Sequence, residues 1–92
     1  MFTAFVMVRT DSNRIPECAE ELVALDGVAE VYSVAGDWDL IVVVRVREHD
    51  DLAETIANRI SKIEGIEHTQ THMAFRAYSK HDLEATFAIG FD

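Results

Sequence analysis

The residues best suited to chemistry lie together in a short segment, Gly36-Asp37-Trp38-Asp39, directly before the apolar run Leu40 to Val44. A turn alone explains part of this segment, because glycine supplies backbone freedom and aspartate supplies the side-chain hydrogen bonds that turns use. Asp39 and Trp38 offer more, since a carboxylate beside a large aromatic ring can hold an ammonium group by a charge-assisted hydrogen bond and a cation–π contact. The segment is therefore a candidate site for a ligand with an ammonium group.

Two histidines on a later polar segment, His68 and His72, are the other candidates for chemistry. Four residues along a strand span about 13 Å, which is too far for both imidazoles to bind one metal ion within a single chain. A metal site shared between subunits and a histidine acting as acid, base or haem ligand both remain open. The sequence contains no nucleophile–histidine–acid set, zinc spacing or phosphate-cradling glycine loop. We predict no catalytic residue, no resident metal and no cofactor.

The charge balance limits the partners that the protein can bind. Seventeen acidic residues against eight basic ones give a net charge of −9, so the molecule as a whole repels nucleic-acid phosphates. Direct DNA binding is therefore not expected. Arg9, Arg45 and Arg47 lie on apparent strands, where they could form a local positive feature, but pairing with nearby acids is the favoured interpretation.

Length and apolar content indicate one globular domain. A chain of 92 residues can build one core but not two. The longest apolar run, Leu40 to Val44, is far shorter than the roughly 20 residues of a membrane span, and no signal-peptide pattern opens the sequence. We expect a soluble cytoplasmic protein without membrane association. The single cysteine, Cys18, cannot form an internal disulfide, and its place on a helical pattern predicts a packing role.

An internal repeat indicates the architecture. When Phe2 is aligned with Leu40, two strand-length segments match apolar against apolar almost throughout. The match continues through two helical patterns, in which Cys18, Ala19, Leu22 and Leu25 fall on Ile56, Ala57, Ile60 and Ile63. Gly27 and Gly65 follow at equivalent positions and are expected to end the helices, because glycine tolerates the left-handed conformation found there. Each half therefore reads as strand, helix, strand.

Residues that cap helices stand before both helical patterns. Ser12 or Asn13 is expected to cap the first helix, because short polar side chains accept hydrogen bonds from the free N–H groups of the first turn. Asp50 or Asp51 is expected to cap the second helix for the same reason.

Two such halves make a ferredoxin-like βαββαβ fold of the α+β class, with a four-stranded antiparallel sheet and two helices on one face. The opposite face would expose Phe5, Met7, Ile41 and Val43, a larger apolar patch than a monomer normally shows. The simplest remedy is a two-fold dimer that packs sheet on sheet as a dimeric α/β barrel.

The last predicted strand, Ile66 to Tyr78, is polar for so small a sheet. One face carries His68, Gln70, His72, Ala74 and Arg76, and the other carries Thr69, Thr71, Met73, Phe75 and Ala77. We expect the second set to pack in the core, where the threonine hydroxyls would bond locally or hold a ligand.

Several segments together resemble the effector-binding domain of the Lrp/AsnC family of feast/famine regulators. They are Gly27-Val28, Gly36-Asp37-Trp38-Asp39-Leu40, Ile63-Glu64-Gly65-Ile66 and Thr69-Gln70-Thr71-His72. The resemblance covers residues 1–80 and leaves 81–92 as a tail, which could form a short helix packed on the domain or on a neighbouring subunit. In the family a helix-turn-helix domain precedes this module, and we expect this protein to lack that domain. The chain thus resembles the stand-alone type, known as the regulation of amino-acid metabolism (RAM) domain, and through its tail the actinobacterial members.

The resemblance implies a function. Family members dimerise through their sheets and assemble into rings, commonly octamers or decamers, with small effectors, often amino acids, bound between dimers. Carried over to this sequence, the ligand-binding residues are Gly36, Asp37, Trp38, Asp39, Thr69, Thr71 and His72. The implied protein is a non-enzymatic amino-acid-binding and assembly module that acts through protein partners, with full-length Lrp/AsnC regulators among the candidates.

Two other functions stay open on the residues alone. Dimeric α+β barrels of this plan include small oxygenases and isomerases, whose pockets lie between the sheet and the helices of one subunit. A structural adaptor that binds no small molecule is also compatible with the sequence. A chromophore in the purified protein would favour an enzyme, whereas a ligand bound between dimers would favour a sensor.

Overall fold

In a computed structural model of the protein, which describes residues 1–80, two β-α-β units form one four-stranded antiparallel sheet. The elements are β1 (Phe2–Thr10), a 3₁₀ turn (Ser12–Arg14), α1 (Ile15–Val23), β2 (Val28–Ser33), β3 (Leu40–Val46), α2 (His49–Ala53), a π-helical segment (Glu54–Ile60) that continues α2, and β4 (Ile66–Ala74). The strand order is β2-β3-β1-β4. The predicted ferredoxin-like βαββαβ fold is confirmed. The tail 81–92, predicted to form a short packed helix, lies outside the described residues.

The internal repeat is visible in the two helix-to-strand connections. The Leu25 N–H donates to the Leu22 carbonyl, and the Ile63 N–H donates to the Ile60 carbonyl in the same way. A glycine with positive φ follows in each connection, Gly27 at 93° and Gly65 at 101°. These are conformations that residues with a Cβ rarely adopt, so the positive φ predicted for both glycines is confirmed. The prediction that they end the helices is wrong, because α1 and the π-helical segment end earlier and the glycines lie in the turns that follow.

Each of these glycines also packs against the helix of the other half. A Cβ on Gly65 would lie 3.0 Å from the Cys18 Sγ atom on α1. A Cβ on Gly27 would lie 2.6 Å from the Thr55 Oγ1 atom in the π-helical segment. Each helix-to-strand connection therefore packs closely against the helix of the other half, and neither site has room for a larger residue.

The core lies between the sheet and the helices. Alternate strand residues supply one side of it, namely Ala4, Val6 and Val8 from β1 and Leu40, Val42, Val44 and Val46 from β3. Cys18 and Leu22 from α1 pack against them, together with Leu52 and Ile60. The Cys18 thiol is fully buried and donates to the Glu64 carbonyl at 3.4 Å, and burial raises the pKa of this thiol. The packing role predicted for Cys18 is confirmed.

The helix starts differ from the prediction. Asp11, not Ser12 or Asn13, supplies the cap, because its carboxylate accepts the Asn13 N–H at 2.9 Å and opens the 3₁₀ turn before α1. The second helix begins at His49 without a side-chain cap, so that Asp50 and Asp51 lie inside its first turn. Their negative charges there stabilise the helix by interacting with the positive end of its dipole.

The last strand is shorter and more exposed than predicted, because it ends at Ala74 and has a neighbouring strand on one side only. Thr69, Thr71 and Met73 pair with Val8, Val6 and Ala4, so they do lie on the helix side of the sheet. All three are nevertheless exposed, and Phe75 beyond the strand is fully exposed. The prediction that these residues belong to the core is therefore wrong.

The sheet face opposite the helices, called the open face below, has no covering layer among the described residues. Phe5 is exposed there, and Met7 and Ile41 are half-buried. Val43 is only 4% exposed, because it sits between its cross-strand neighbours Phe5 and Glu30. The predicted apolar patch is therefore present, but Val43 adds little to its accessible surface. No helix within residues 1–80 is long and apolar enough to cross a membrane.

Candidate functional site

The loop between β2 and β3 is fastened to the end of β1 by main-chain hydrogen bonds. The Asp39 N–H donates to the Val8 carbonyl at 2.9 Å, and the Val34 N–H donates to the Asp39 carbonyl at 3.0 Å. The Asp39 side chain adds a third hydrogen bond, in which its Oδ2 atom accepts the Thr10 N–H at 2.9 Å. Asp39 thus joins the last residues of β1 to the first residue of β3. These hydrogen bonds attach the base of the loop to β1.

Gly36 forms the turn itself. Its φ of 120° lies in the region that favours glycine, and no atom lies within 4 Å of the position that a Cβ would take. The glycine is therefore required by backbone conformation and not by crowding. This agrees with the turn role that the sequence predicted, and it leaves open space on that side of the loop.

Arg9 contacts the loop and was not predicted to belong to the site. Its Nε and Nη2 atoms both donate to the Asp37 carbonyl, at 3.1 and 2.7 Å. Its guanidinium also lies over the Trp38 ring, with Cζ 5.1 Å from the ring centroid. Arg9 was expected to pair with an acid, but among residues 1–80 it contacts a backbone carbonyl and an aromatic ring instead. The β1–β3 register, which brings Val8 opposite Leu40, is the signal that would have placed Arg9 beside this loop.

These contacts change how the loop can meet a ligand. The sequence suggested that Trp38 and Asp39 together hold an ammonium group, but the cation over Trp38 is Arg9 of the same chain. The Asp39 carboxylate uses Oδ2 for the Thr10 N–H, which leaves Oδ1 without a hydrogen bond among residues 1–80. The site therefore combines a negative group, Asp39 of the loop, with a positive group, Arg9 of β1, which contacts the loop.

The predicted residues of β4 fall on both faces of the sheet. Thr69 lies opposite Val8, the residue whose carbonyl anchors the loop, so Thr69 and the loop share one end of the sheet. Thr71 lies farther along the strand on the same face. His72 lies opposite Phe5 and therefore on the open face. The fold thus brings Gly36 to Asp39 and Thr69 to one end of the sheet, but it separates His72 from the threonines.

Thr71 instead contributes to an apolar cavity of about 320 Å³ between β4 and the second helix. The cavity is lined by His49, Leu52, Ala53, Ile56, Ala57, Thr71 and Met73. Thr71 and His49 are its polar lining residues. The cavity is a second place where a small apolar group can lie against β4.

A cluster on the open face perturbs two titratable groups. The Tyr32 hydroxyl donates to the Glu30 carboxylate, which also pairs with Arg45 at 3.2 Å. The hydrogen bond from Tyr32, helped by Arg45, lowers the pKa of Glu30 below its ordinary value. The same hydrogen bond raises the pKa of Tyr32. Arg45 is thus paired with a nearby acid, as predicted. No group of histidine, cysteine or acidic side chains in residues 1–80 is arranged to hold a metal ion.

Comparisons with known proteins agree with this architecture. The profile of the Lrp/AsnC ligand binding domain matches residues 3–83. The crystal structure of TTHA0845 from Thermus thermophilus is 42% identical, with a TM-score of 0.81 over 87% of this chain and 100% of that chain. A transcriptional regulator from Neisseria meningitidis, NMB0573, solved as an L-Met complex, shares the fold at a TM-score of 0.75 and 11% identity, over 85% of this chain and 52% of that chain.

Curated relatives are longer. The HTH-type transcriptional regulator PH1916 from Pyrococcus horikoshii is 33% identical over 76 residues, which make up 79% of this chain and 51% of that protein. The chain thus spans about half the length of the curated relatives it matches. The profile match, the TTHA0845 likeness and the observed topology agree, and the chain belongs to the Lrp/AsnC ligand-binding domain family.

Proposed function

We propose that this chain is an amino-acid-responsive effector-binding and assembly module that acts through protein partners and not by binding DNA itself. The observation that carries the proposal is the anchored loop, which has the Asp39 carboxylate and the Arg9 guanidinium at its base and open space around Gly36. An α-amino acid carries one positive and one negative group, which matches this pair of charges.

The proposed binding mode starts from Asp39. Its Oδ1 atom accepts the ligand ammonium, because a charge-assisted hydrogen bond of this kind needs no change in the Thr10 contact. Thr69, at the same end of the sheet, offers a hydroxyl to the ligand from β4. Thr71, two residues farther along the same face of β4, is proposed to contact the side chain of the ligand.

The proposed assembly starts from the open face. Phe5 is 38% exposed and Tyr32 is 51% exposed there, both large side chains on a sheet without a covering layer in the described part of the chain. A two-fold dimer through this face buries them against their own copies. We propose that such dimers assemble further into an octameric or decameric ring, with the loops at the contacts between dimers.

Protein partners are favoured over DNA by charge. A net charge of −9 opposes binding to a phosphate backbone, whereas the apolar side chains of the open face suit a second protein surface. Full-length Lrp/AsnC regulators contain the matching domain and are therefore the proposed partners.

A thermal-shift screen against the twenty amino acids tests effector binding, with L-methionine included as the ligand of the Neisseria protein. Hits are then titrated by calorimetry against wild type and Asp39→Asn, which keeps an oxygen for the Thr10 N–H but removes the charge. Asp50→Asn, at the opposite end of the sheet, is the matched control. We expect Asp39→Asn to weaken binding about tenfold or more and Asp50→Asn to leave it unchanged. A screen without any hit would refute the effector function, and unchanged binding by Asp39→Asn would refute the site.

A further inference from the structure

The guanidinium of Arg9 is oriented but not neutralised. Two of its atoms donate to one backbone carbonyl, that of Asp37, and its Cζ atom lies over the Trp38 ring. Neither partner carries a negative charge. The ion pairs within the described residues belong to Arg14 and Arg45, so Arg9 keeps a positive charge that no acid of residues 1–80 offsets by an ion pair.

The contacts of Arg9 also leave it able to bind. A guanidinium has five N–H donors in a rigid fork, and the Asp37 carbonyl takes donors from Nε and Nη2 only. The Nη1 donors have no partner among residues 1–80. The two hydrogen bonds to Asp37 and the cation–π contact with Trp38 restrict the side chain, so little further conformational entropy is lost when a ligand binds. A planar carboxylate can accept two parallel hydrogen bonds from such a fork, which a lysine ammonium group cannot provide.

We propose that Arg9 recognises the carboxylate of the ligand at this loop and so makes a carboxylate a condition for tight binding. The inference rests on the proposed effector function and adds the residue that selects the ligand class. Arg9 and Asp39 then bind opposite ends of the same zwitterion.

The effect to be measured is the preference for an acid over its amide. The amino acid that gives the largest thermal shift is titrated by calorimetry beside its α-carboxamide, for example L-methionine beside L-methioninamide. Four proteins are compared: wild type, Arg9→Gln, Arg9→Lys and Arg47→Gln. Arg47 is an exposed arginine just beyond the far end of β3, so its substitution removes the same charge away from the loop.

We expect wild type and Arg47→Gln to bind the acid at least about tenfold more tightly than the amide. Arg9→Gln should lose this preference, and Arg9→Lys should retain part of it, because lysine keeps the charge but loses the fork. Circular dichroism checks that each variant is folded.

The outcomes separate the two proposals. If wild type binds no amino acid, the effector function fails and the role of Arg9 fails with it. If wild type binds and Arg9→Gln keeps the wild-type preference, the role of Arg9 is wrong while the effector function stands. If Arg9→Gln is folded but binds neither the acid nor the amide, Arg9 only supports the loop, and carboxylate recognition is refuted.

Discussion

The Asp39 carboxylate accepts the backbone N–H of Thr10 at 2.9 Å, across the gap between the end of β1 and the start of β3. Thr10 is only 4% exposed, so water has little access to this N–H group. Asp39 therefore has a structural task before any ligand arrives. Its two oxygens allow it to hold the loop with one and to meet a ligand with the other.

Replacing Asp39 by alanine should destabilise the fold, because the Thr10 N–H loses its acceptor in a poorly hydrated place. We expect a loss of about 1–3 kcal/mol in the free energy of unfolding, measured by urea denaturation. Asp39→Asn should lose much less, since the amide oxygen can still accept the hydrogen bond. Equal stability of Asp39→Ala and wild type would show that this bond does not hold the loop.

Substitution of Gly27 by alanine should be more damaging than substitution of Gly36. Both residues have positive φ, so each variant bears backbone strain of about 1–3 kcal/mol. Gly27→Ala also places its methyl group 2.6 Å from the buried Thr55 hydroxyl, whereas Gly36→Ala meets open space. This overlap should cost about 1–3 kcal/mol more. Thermal or urea unfolding of both variants measures the difference, and equal stability would argue against close packing at Gly27.

The fold was predictable because the internal repeat indicates two strand–helix–strand halves. The apolar alternation of β1 and β3 and the glycines at equivalent positions each indicate the same topology, and the structure has it. The exposure of β4 was not predictable from the same pattern. Alternation places Thr69 and Met73 on the helix side, but only the strand order shows that β4 is an edge that the helices leave uncovered.

The candidate loop was predictable from residue types, but its charges were not. Glycine, aspartate and tryptophan in one turn mark the loop. The identity of the cation over Trp38 depends on which strand runs beside the turn, and that strand supplies Arg9. The loop sequence alone cannot predict a contact with a side chain that lies far away along the chain. His72 shows the same limit, because its face of the sheet follows from pairing with Phe5.

A charge on the open face should prevent dimer formation. Phe5→Glu places a carboxylate on the surface proposed to be buried, where it would lose its hydration without gaining a partner. We expect size-exclusion chromatography with light scattering to show monomers. Val23→Glu is the control, because Val23 is 52% exposed on α1, on the helix side of the sheet. An unchanged mass for Phe5→Glu would place the interface elsewhere.

The Glu30–Tyr32 pair makes two contributions to stability that depend on pH. The pKa of Glu30 is lowered, mainly by the hydrogen bond from Tyr32, so its contribution is present above its unfolded-state pKa and is lost as the pH falls through the folded value. The pKa of Tyr32 is raised, so its contribution is lost as the pH rises through its folded value. Titration by NMR should show the Glu30 pKa rising in Tyr32→Phe. A Glu30 pKa that does not move in this variant would contradict the assignment of its cause.

The central claim, that an amino acid binds this chain and acts on its assembly, is tested most directly by light scattering on the purified protein with and without each of the twenty amino acids. The account predicts a dimer or a larger ring in the absence of ligand and a change in mass, or in the concentration at which the ring dissociates, with at least one amino acid. A mass that stays the same with all twenty across the concentrations tested would contradict it.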